Sequence, residues 1–561
     1  MPTIIISKRD LLKLVGIHEI SDDELVEALE ATKVEVKAVG SDDVVLEVTS
    51  DRPDMFSSEG IARCLKGLFE VELGIPKYPI TELTDGFVVE VDGIVEKVRP
   101  FVACAAVVDC SLGEEGLRQL IQLQETLHKT HGRNRRKFAI GLHNLDVVRT
   151  PIVYTAKPFD SFSFVPLEGD KEMNGREIIE IHPKGIEYGR LIKDRGLAPL
   201  LIDSNGNVLS MPPIINSDLT KVTSSTRNLL IDVTGTDLRA VRSALAILTA
   251  NLAERGGKIF KFVIQEGPSV KRVEPVTECK MVTVNYSRIV EITGINEPID
   301  EVVRCLRRAR MDAVVKGSVL DVLIPFYRID VMGDVDVAED FAIGYGYNRI
   351  IPEVPPVTTK GCELELVTFA RLCRELMIGY GFQEVMTYMF ISDRKLDDSC
   401  SYDKRVRVVK PVSSDYTSLR TSLIPSLLDF LSENTHIEYP QKIFEVGDVV
   451  LIDESFDVKC FYDRRLAAVH INYKVGYEDV QAVLYSLLRI LNLEFEVKSD
   501  RREQMIEGRC GSIIVNGEVV GFIGEIKPDV LLKFGLQAPA AAFEISLSKV
   551  HRAWSTSINI S

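Results

Sequence analysis

Apolar positions along the chain switch between a helical and an alternating period, and they do so twice in the same order. They recur at helical spacing in "LLKLVGI" and "DDELVEALEAT", alternate in "DVVLEVT", and return to helical spacing in "EGIARCLKGLF". The succession repeats in "IVEITGI", "IDEVVRCLRRAR", "SVLDVLIPF" and "DVAEDFAIGYGY". Gly16 and Gly294 close the first helical patterns 278 residues apart, and Arg52-Pro53-Asp54 and Arg328-Ile329-Asp330 follow the strands 276 apart, so the register holds within two residues. Residues 7–70 and 285–350 are therefore expected to be two copies of one unit, two helices, a strand and a third helix, of winged-helix-like size.

Between the copies, at about 85–268, short β-like runs dominate: "FVVEVDGIV", "FVACAAVVDC", "FAIGLHNLDVV", "APLLIDSNGNVLSMPPIIN" and "NLLIDVTGTD". Asp203-Ser204-Asn205-Gly206-Asn207 separates two apolar runs and predicts a hairpin turn. After residue 350 the proline-marked "IPEVPPVTTKG" reads as a linker. A helix-rich, then strand-rich segment follows, opened by "VTFARLCRELMIGYGFQEVMTYMF".

Composition narrows the class without choosing a function. A chain of 561 residues, 45% apolar and 27% charged, has the balance of a soluble globular protein of about three to five domains. No run of about 18 apolar residues predicts a membrane span, and "MPTIIISKRDLLKLVG" does not read as a signal peptide. Ten cysteines, with no CxxC and no zinc-like Cys/His spacing, fit reduced thiols in a cytoplasmic protein. A net charge of −16 argues against a surface coated in nucleic acid. Local contact stays open, because "HKTHGRNRRK" gathers Lys129, Arg133, Arg135, Arg136 and Lys137 as either a solvated or a phosphate-contacting loop.

One stretch concentrates acids. "YRIDVMGDVDVAEDFAIGYGYNRI" places Asp330, Asp334, Asp336, Glu339 and Asp340 within eleven residues. Asp336 followed by Glu339 fits a capping box at a helix start, and acids in a first turn also suit the helix dipole. Yet a cap uses only two carboxylates. Asp336, Glu339 and Asp340 share a helix face, where a hard cation such as Mg²⁺ would relieve their repulsion. The equivalent positions of the first copy, counted from Asp54, are Gly60, Arg63 and Cys64, so the scaffold does not require the acids.

This same stretch resembles the magnesium-linked segment of the phenylalanine–tRNA ligase β subunit family, through Arg328, Asp330, Asp336, Glu339, Asp340, Gly346 and Tyr347. "SDRPDMFSSEGIARCLKG" resembles the family's N-terminal block, "LSMPPIINS" and "NLLIDVTGTD" its central editing domain, and "PVSSDYTSLRTSLIPSLLDFLSENTH" with "KIFEVGDVV" its synthetase-like domain. The chain is similar to the shorter archaeal and eukaryotic type, with no bacterial anticodon-binding domain and no inserted OB-fold expected.

The resemblance implies an α+β multidomain fold. Its parts would be an N-terminal repeat-like domain (1–84), a β-rich editing domain (85–268), a magnesium-linked winged-helix-like domain (269–350) and a class II synthetase-like antiparallel-sheet domain lacking catalytic motifs (351–561). It implies that Asp330, Asp336, Glu339 and Asp340 hold Mg²⁺ shared with an α subunit, and that Leu201, Ser210, Asp232 and Thr234 form an editing site for Tyr-tRNA(Phe). No residue of this chain is expected to catalyse aminoacylation: "QKIFEVGDVV" has no Arg two positions before Glu445, "APAAAFEISLSKV" has neither Gly nor Arg, and no class I signature occurs. The implied partners are an α subunit in an (αβ)₂ heterotetramer that uses ATP, and tRNA(Phe), with no DNA and no membrane. A freestanding tRNA deacylase and a winged-helix DNA-binding regulator are the alternatives.

Overall fold

The protein is described by a computed structural model covering residues 1–81, 86–267, 270–357 and 359–558; the boundaries expected after residue 84 and at residue 268 lie outside the described residues. It is a mixed α/β, multidomain chain of two compact units, Met1–Val354 and Pro355–Ser561. The division falls in the proline-marked stretch, where Ile351 and Val354 lie exposed with no core to join.

In the first unit the two copies share one topology. Helices Lys8–Val15 and Asp22–Glu30 correspond to Tyr286–Thr293 and Ile299–Arg308, and Ser58–Leu68 corresponds to Asp334–Tyr345. Ser21 and Glu24 form a reciprocal capping box at the second helix. The first helix of each copy ends on Gly16 or Gly294, with φ of 86° and 72°, the left-handed conformation a side chain would strain. Each copy holds three antiparallel strands where the periodicity predicts one. Asp43–Val48 lies between Thr3–Ser7 and Val34–Val39, and Val319–Ile324 lies between Lys280–Asn285 and Asp312–Lys316. The outer strands are short and exposed along much of their length, so their alternation is weak. Both third helices are largely buried.

The two Arg-x-Asp motifs meet where the copies join. Arg52 grips Asp54 bidentately at 2.9 Å through Nε and Nη2. Arg328 grips Asp330 at 2.9 and 2.7 Å and reaches Asp340 at 3.2 and 2.6 Å. The first copy carries Cys64 at the position equivalent to Asp340, and Arg52 Nη2 lies 3.2 Å from its sulfur. The charge of each arginine acts on the other copy's acid, Arg52 on Asp330 and Arg328 on Asp54.

Between the copies in sequence lies an eleven-stranded sheet whose main path runs Ile215–Asn216, Val208–Met211, Leu197–Ile202, Ile152–Pro158, Val88–Val91, Lys258–Glu266, Phe101–Val108, Leu229–Gly235, Phe138–Asn144. Asn216 Nδ2 donates to Leu142 O at 3.2 Å, which brings the two ends of that path together. Helices Gly113–Lys129 and Leu238–Ala253 cover one face with the core of Leu120, Leu123, Leu127, Leu245 and Leu248. The expected hairpin turn forms: Asp203 Oδ1 accepts from Asn205 N and Asn207 N, and Gly206 has φ of 86°.

The second unit is built on a seven-stranded sheet in the order Gln383–Glu384, Gln441–Ile452, Cys460–Ile471, Ala540–Ser546, Glu518–Ile526, Met505–Val515, Phe495–Ser499. All neighbours are antiparallel except the first pair. Helices Glu365–Gly379 and Tyr477–Ile490 pack on one face and Ile424–Glu433 on the other.

Arg328→Met should cost about 3–5 kcal/mol, because it removes the direct partner of Asp330 and of the buried Asp340 and leaves them only the more distant charge of Arg52. Urea unfolding of the parent and variant chains measures the difference.

Candidate functional site

The strand Leu229–Gly235 is buried at every residue between Phe101–Val108 and Phe138–Asn144. A carboxylate in such a strand needs a partner, and the register provides one. Asp232 pairs with Gly141 and Leu230 with His143, so Asp232 and His143 share a face. Gly141 leaves the space between them: a Cβ there would lie 2.0 Å from Asp232 Oδ1 and 2.9 Å from His143 Nε2. The Asp232 carboxylate crosses that gap and meets His143 Nε2 at 2.7 Å, while His143 Nδ1 meets Thr220 Oγ1, also at 2.7 Å. All three side chains are buried.

Asp232 opens onto a cleft of about 810 Å³ between the two approaching ends of the sheet. The helix Gly113–Lys129 contributes Ile121, Gln124 and Glu125, and Pro212–Asn216 form the opposite wall. Arg135 ties these walls together. It donates to Pro213 O at 3.1 Å, Ile214 O at 3.0 Å and Glu125 Oε1 at 2.9 Å, and stacks 4.3 Å over the Tyr188 ring. Behind Glu125, His128 Nε2 accepts from Ile140 N at 2.8 Å, and Nδ1 lies 3.2 Å from Glu125 Oε1. That arrangement requires a neutral ring with its proton on Nδ1. Burial accordingly pushes the His128 pKa down to about 4, outweighing the bond to Glu125. Burial would raise Glu125, but His128 and Arg135 hold it at about 2.

The other three residues expected beside Asp232 lie elsewhere than on the cleft lining. Thr234 is buried, its hydroxyl accepting from Arg99 Nε at 3.0 Å and its carbonyl from Arg99 Nη2 at 2.8 Å. Leu201 and Ser210 pair across neighbouring strands, both buried, and the Ser210 hydroxyl has no hydrogen-bond partner among the described residues.

The acids expected to share Mg²⁺ are divided among separate partners. Asp330 and Asp340 are taken by Arg328. Asp336 Oδ2 accepts from the backbone N–H groups of Met332 and Gly333 at 2.7 and 2.9 Å, and Glu339 Oε2 pairs with Lys33 at 2.7 Å. The helix begins at Asp334, so Asp336 caps it from the third helical position and Glu339, expected as the other half of a capping box, takes no part. Asp334, which the family pattern leaves out, forms an exposed pair with Arg288 at 3.1 Å. Among the described residues no group of three or more His, Cys, Asp or Glu converges as a metal site. The four acids of this chain therefore do not fit a single cation cage; the arginine fork already supplies the positive charge that two of them need.

Residues 350–547 match the phenylalanyl-tRNA synthetase beta chain CLM domain, and residues 282–347 match the tRNA synthetase B5 domain. Three curated proteins, each named a phenylalanine–tRNA ligase beta subunit, align over 98% of this chain. That of Korarchaeum cryptofilum is 44% identical with 98% of its own length covered, that of Pyrococcus furiosus 40% with 100%, and that of Saccharolobus solfataricus 39% with 99%. The chain belongs to the phenylalanine–tRNA ligase β subunit family. The crystal structure of an N-terminal fragment of the Pyrococcus horikoshii phenylalanyl-tRNA synthetase β subunit superposes with a TM-score of 0.60 at 38% identity. It covers 62% of this chain and all of the fragment.

The sheet of the second unit carries buried charges. Arg420 and Arg465 lie on the face covered by Ile424–Glu433, but each is neutralised. Arg420 pairs with Glu445 at 2.8 Å, and Arg465 with Glu544 at 2.5 Å and Asp463 at 2.8 Å. No Arg was expected in the two stretches; the structure brings these cations from neighbouring segments, already matched to carboxylates.

Sequence reasoning found Asp232 in this β subunit but missed His143, Thr220, Arg99 and Arg135 as its surroundings. The one available signal was a histidine in an apolar run, "FAIGLHNLDVV". In the chain Thr220–His143–Asp232 it is the carboxylate, not the hydroxyl, that lies at the cleft.

The ordinary pKa of His128 in an unfolded chain is near 6.5 and that of Glu125 near 4.5. Both are depressed in the fold, so their contribution is complete above pH 6.5 and falls as the pH drops toward 4 and below. Urea midpoints measured from pH 7 to 4 should decline, and His128→Gln should flatten the upper part of that decline.

Proposed function

We propose that the chain acts as the β subunit of a phenylalanyl-tRNA synthetase and that its own chemistry is hydrolysis of Tyr-tRNA(Phe) at Asp232. The observation that carries this reading is a buried carboxylate, fixed by His143, opening onto a cleft large enough for an aminoacyl group. Tyrosine is phenylalanine with one added hydroxyl, and an apolar synthetic pocket rejects such an addition by only about 10²-fold. A site that hydrogen-bonds the hydroxyl discriminates the other way, by about 10⁴-fold or more, because phenylalanine leaves its polar group unpaired. With Oδ1 engaged by His143, Oδ2 is the oxygen left to accept from the tyrosyl hydroxyl. A positioned water then attacks the ester carbonyl, and the ribose oxygen of the tRNA leaves. Gly141 and His143 act as positioning residues, since they fix where that carboxylate stands.

Aminoacylation, with its ATP and Mg²⁺, belongs in this reading to an α partner. Arg420 and Arg465 are already matched to carboxylates, so neither is free to meet a triphosphate. Exposed apolar side chains on the second unit favour such a partner: Met386 is 93% and Tyr388 74% exposed, with Phe390 and Tyr416 beside them. An (αβ)₂ heterotetramer in the cytoplasm would bury that surface. The domains in this reading are a winged-helix-like unit at each end of residues 1–350, the editing domain between them, and a class II-like domain that keeps its interface without its chemistry. No helix among the described residues is long and apolar enough to cross a membrane.

In the co-expressed complex, Asp232→Ala should slow Tyr-tRNA(Phe) deacylation at least about 10²-fold. Gly141→Ala should act in the same direction, because displacing a positioned group by an ångström costs about that much. Unimpaired proofreading in either variant would remove the assignment. The isolated chain should catalyse no phenylalanine-dependent ATP–pyrophosphate exchange, and detectable exchange would overturn the inactive reading of the second unit.

A further inference from the structure

The helix Gly113–Lys129 carries Ile121 and Glu125 into the cleft lining, and Lys129 continues the same stripe one turn on. The chain then turns through Arg133, Asn134 and Arg135, three successive residues with φ of 48°, 53° and 63°. Left-handed backbone costs a non-glycine residue of order 1 kcal/mol, so this turn exists only because it is closed tightly. Gly132 N donates to Leu127 O and Lys137 N to Gly132 O, while Arg135 is locked into the cleft wall. The geometry fixes Arg133 and Arg136 on either side of that anchor, both exposed. Lys129, Arg133 and Arg136 have no carboxylate within ion-pair distance among the described residues, unlike Lys137, which pairs with Asp237. The cleft lining itself carries two exposed apolar side chains, Ile121 at 48% and Ile181 at 62%.

We propose that Lys129, Arg133 and Arg136 form a phosphate-binding track that guides the single-stranded 3′ end of an RNA into the Asp232 cleft, with Ile121 and Ile181 meeting its terminal ribose and base. This rests on the cleft being a site for aminoacyl-RNA. The track suits a single strand because closely spaced cations can follow its backbone charge, the electrostatic part of how unpaired nucleic acid is held without sequence readout, while the two isoleucines offer apolar contact to its last nucleotide. The rigid turn also presents the cations with little ordering left to do on binding.

The test is binding of an uncharged acceptor-stem minihelix, with and without its 3′ overhang, to the α–β complex across a range of salt. Each phosphate contact on a single strand contributes about 0.7 to the slope of log K against log salt. Lys129→Gln/Arg133→Asn/Arg136→Gln should therefore lower the slope by about 2 and weaken overhang binding by about tenfold or more near 0.15 M salt. Asn tolerates the left-handed position at 133, and Arg133→Lys/Arg136→Lys, which preserves charge, should keep the parental slope. The proposal is overturned if the triple variant binds with parental affinity and slope. It is equally overturned if the charge-preserving variant loses as much, or if the overhang makes no difference. The hydrolytic reading fails separately, when the parent binds the minihelix but leaves Tyr-tRNA(Phe) intact.

Discussion

A guanidinium with no access to water can exist only where other groups surround it, and Arg63 imposes that condition on the whole first unit. Its side chain is fully buried. Nη2 donates to Asn251 at 2.9 Å and Nη1 to Tyr78 at 3.2 Å; Asp54 lies at 3.6 Å, Glu254 at 3.8 Å, and the Tyr327 ring centroid 3.8 Å from its Cζ. Those partners come from the first copy, from the segment between the copies and from the second copy. A buried charge is tolerated only with nearly complete pairing, so none of the three segments can leave without exposing or stranding it. The unit is in this sense assembled around one cation.

The repeat shows how the arrangement diverged. Arg63 occupies the position equivalent to Glu339, and both reach across to partners outside their own copy: Arg63 to Asn251 and Tyr327, Glu339 to Lys33. The Arg52 and Arg328 forks sit between them on common backbone positions. One copy supplies Asp340 to its arginine and the other supplies Cys64. The same scaffold thus accommodates opposite charges: Lys33 of the first copy meets Glu339, while Arg63 is answered by Asp54 of its own copy and Glu254 of the segment between the copies.

The cleft depends on a smaller constraint of the same kind. Asp232 is buried, so its charge must be answered locally, and His143 answers it only because Gly141 has no side chain to block the way. Arg135 holds the opposite wall through backbone carbonyls. Arg133 and Arg136, two residues before it and one after it on a tightly wound turn, face solvent instead. A single loop therefore both builds the cavity and dresses its entrance with charge.

Periodicity and spacing by themselves determined the two copies, the β-rich segment between them, the hairpin at Asp203–Asn207 and the linker near residue 354, because each is written in residues close together in the chain. The family, and with it Asp232 as a candidate, came from the resemblance of whole motifs. The short outer strands escaped because five or six exposed residues carry almost no alternation. The acids of "YRIDVMGDVDVAEDFAIGYGYNRI" looked like one donor set because they share a helix face in sequence. Only the folded chain decided that Arg328 and Lys33 would claim three of them and a backbone cap the fourth. His143, Thr220 and Arg99 were likewise illegible, since each meets its partner across some 77 to 135 residues of chain. Local propensity is encoded locally; the pairing of buried charges depends on which distant segments the packed core brings within about 3 Å of one another.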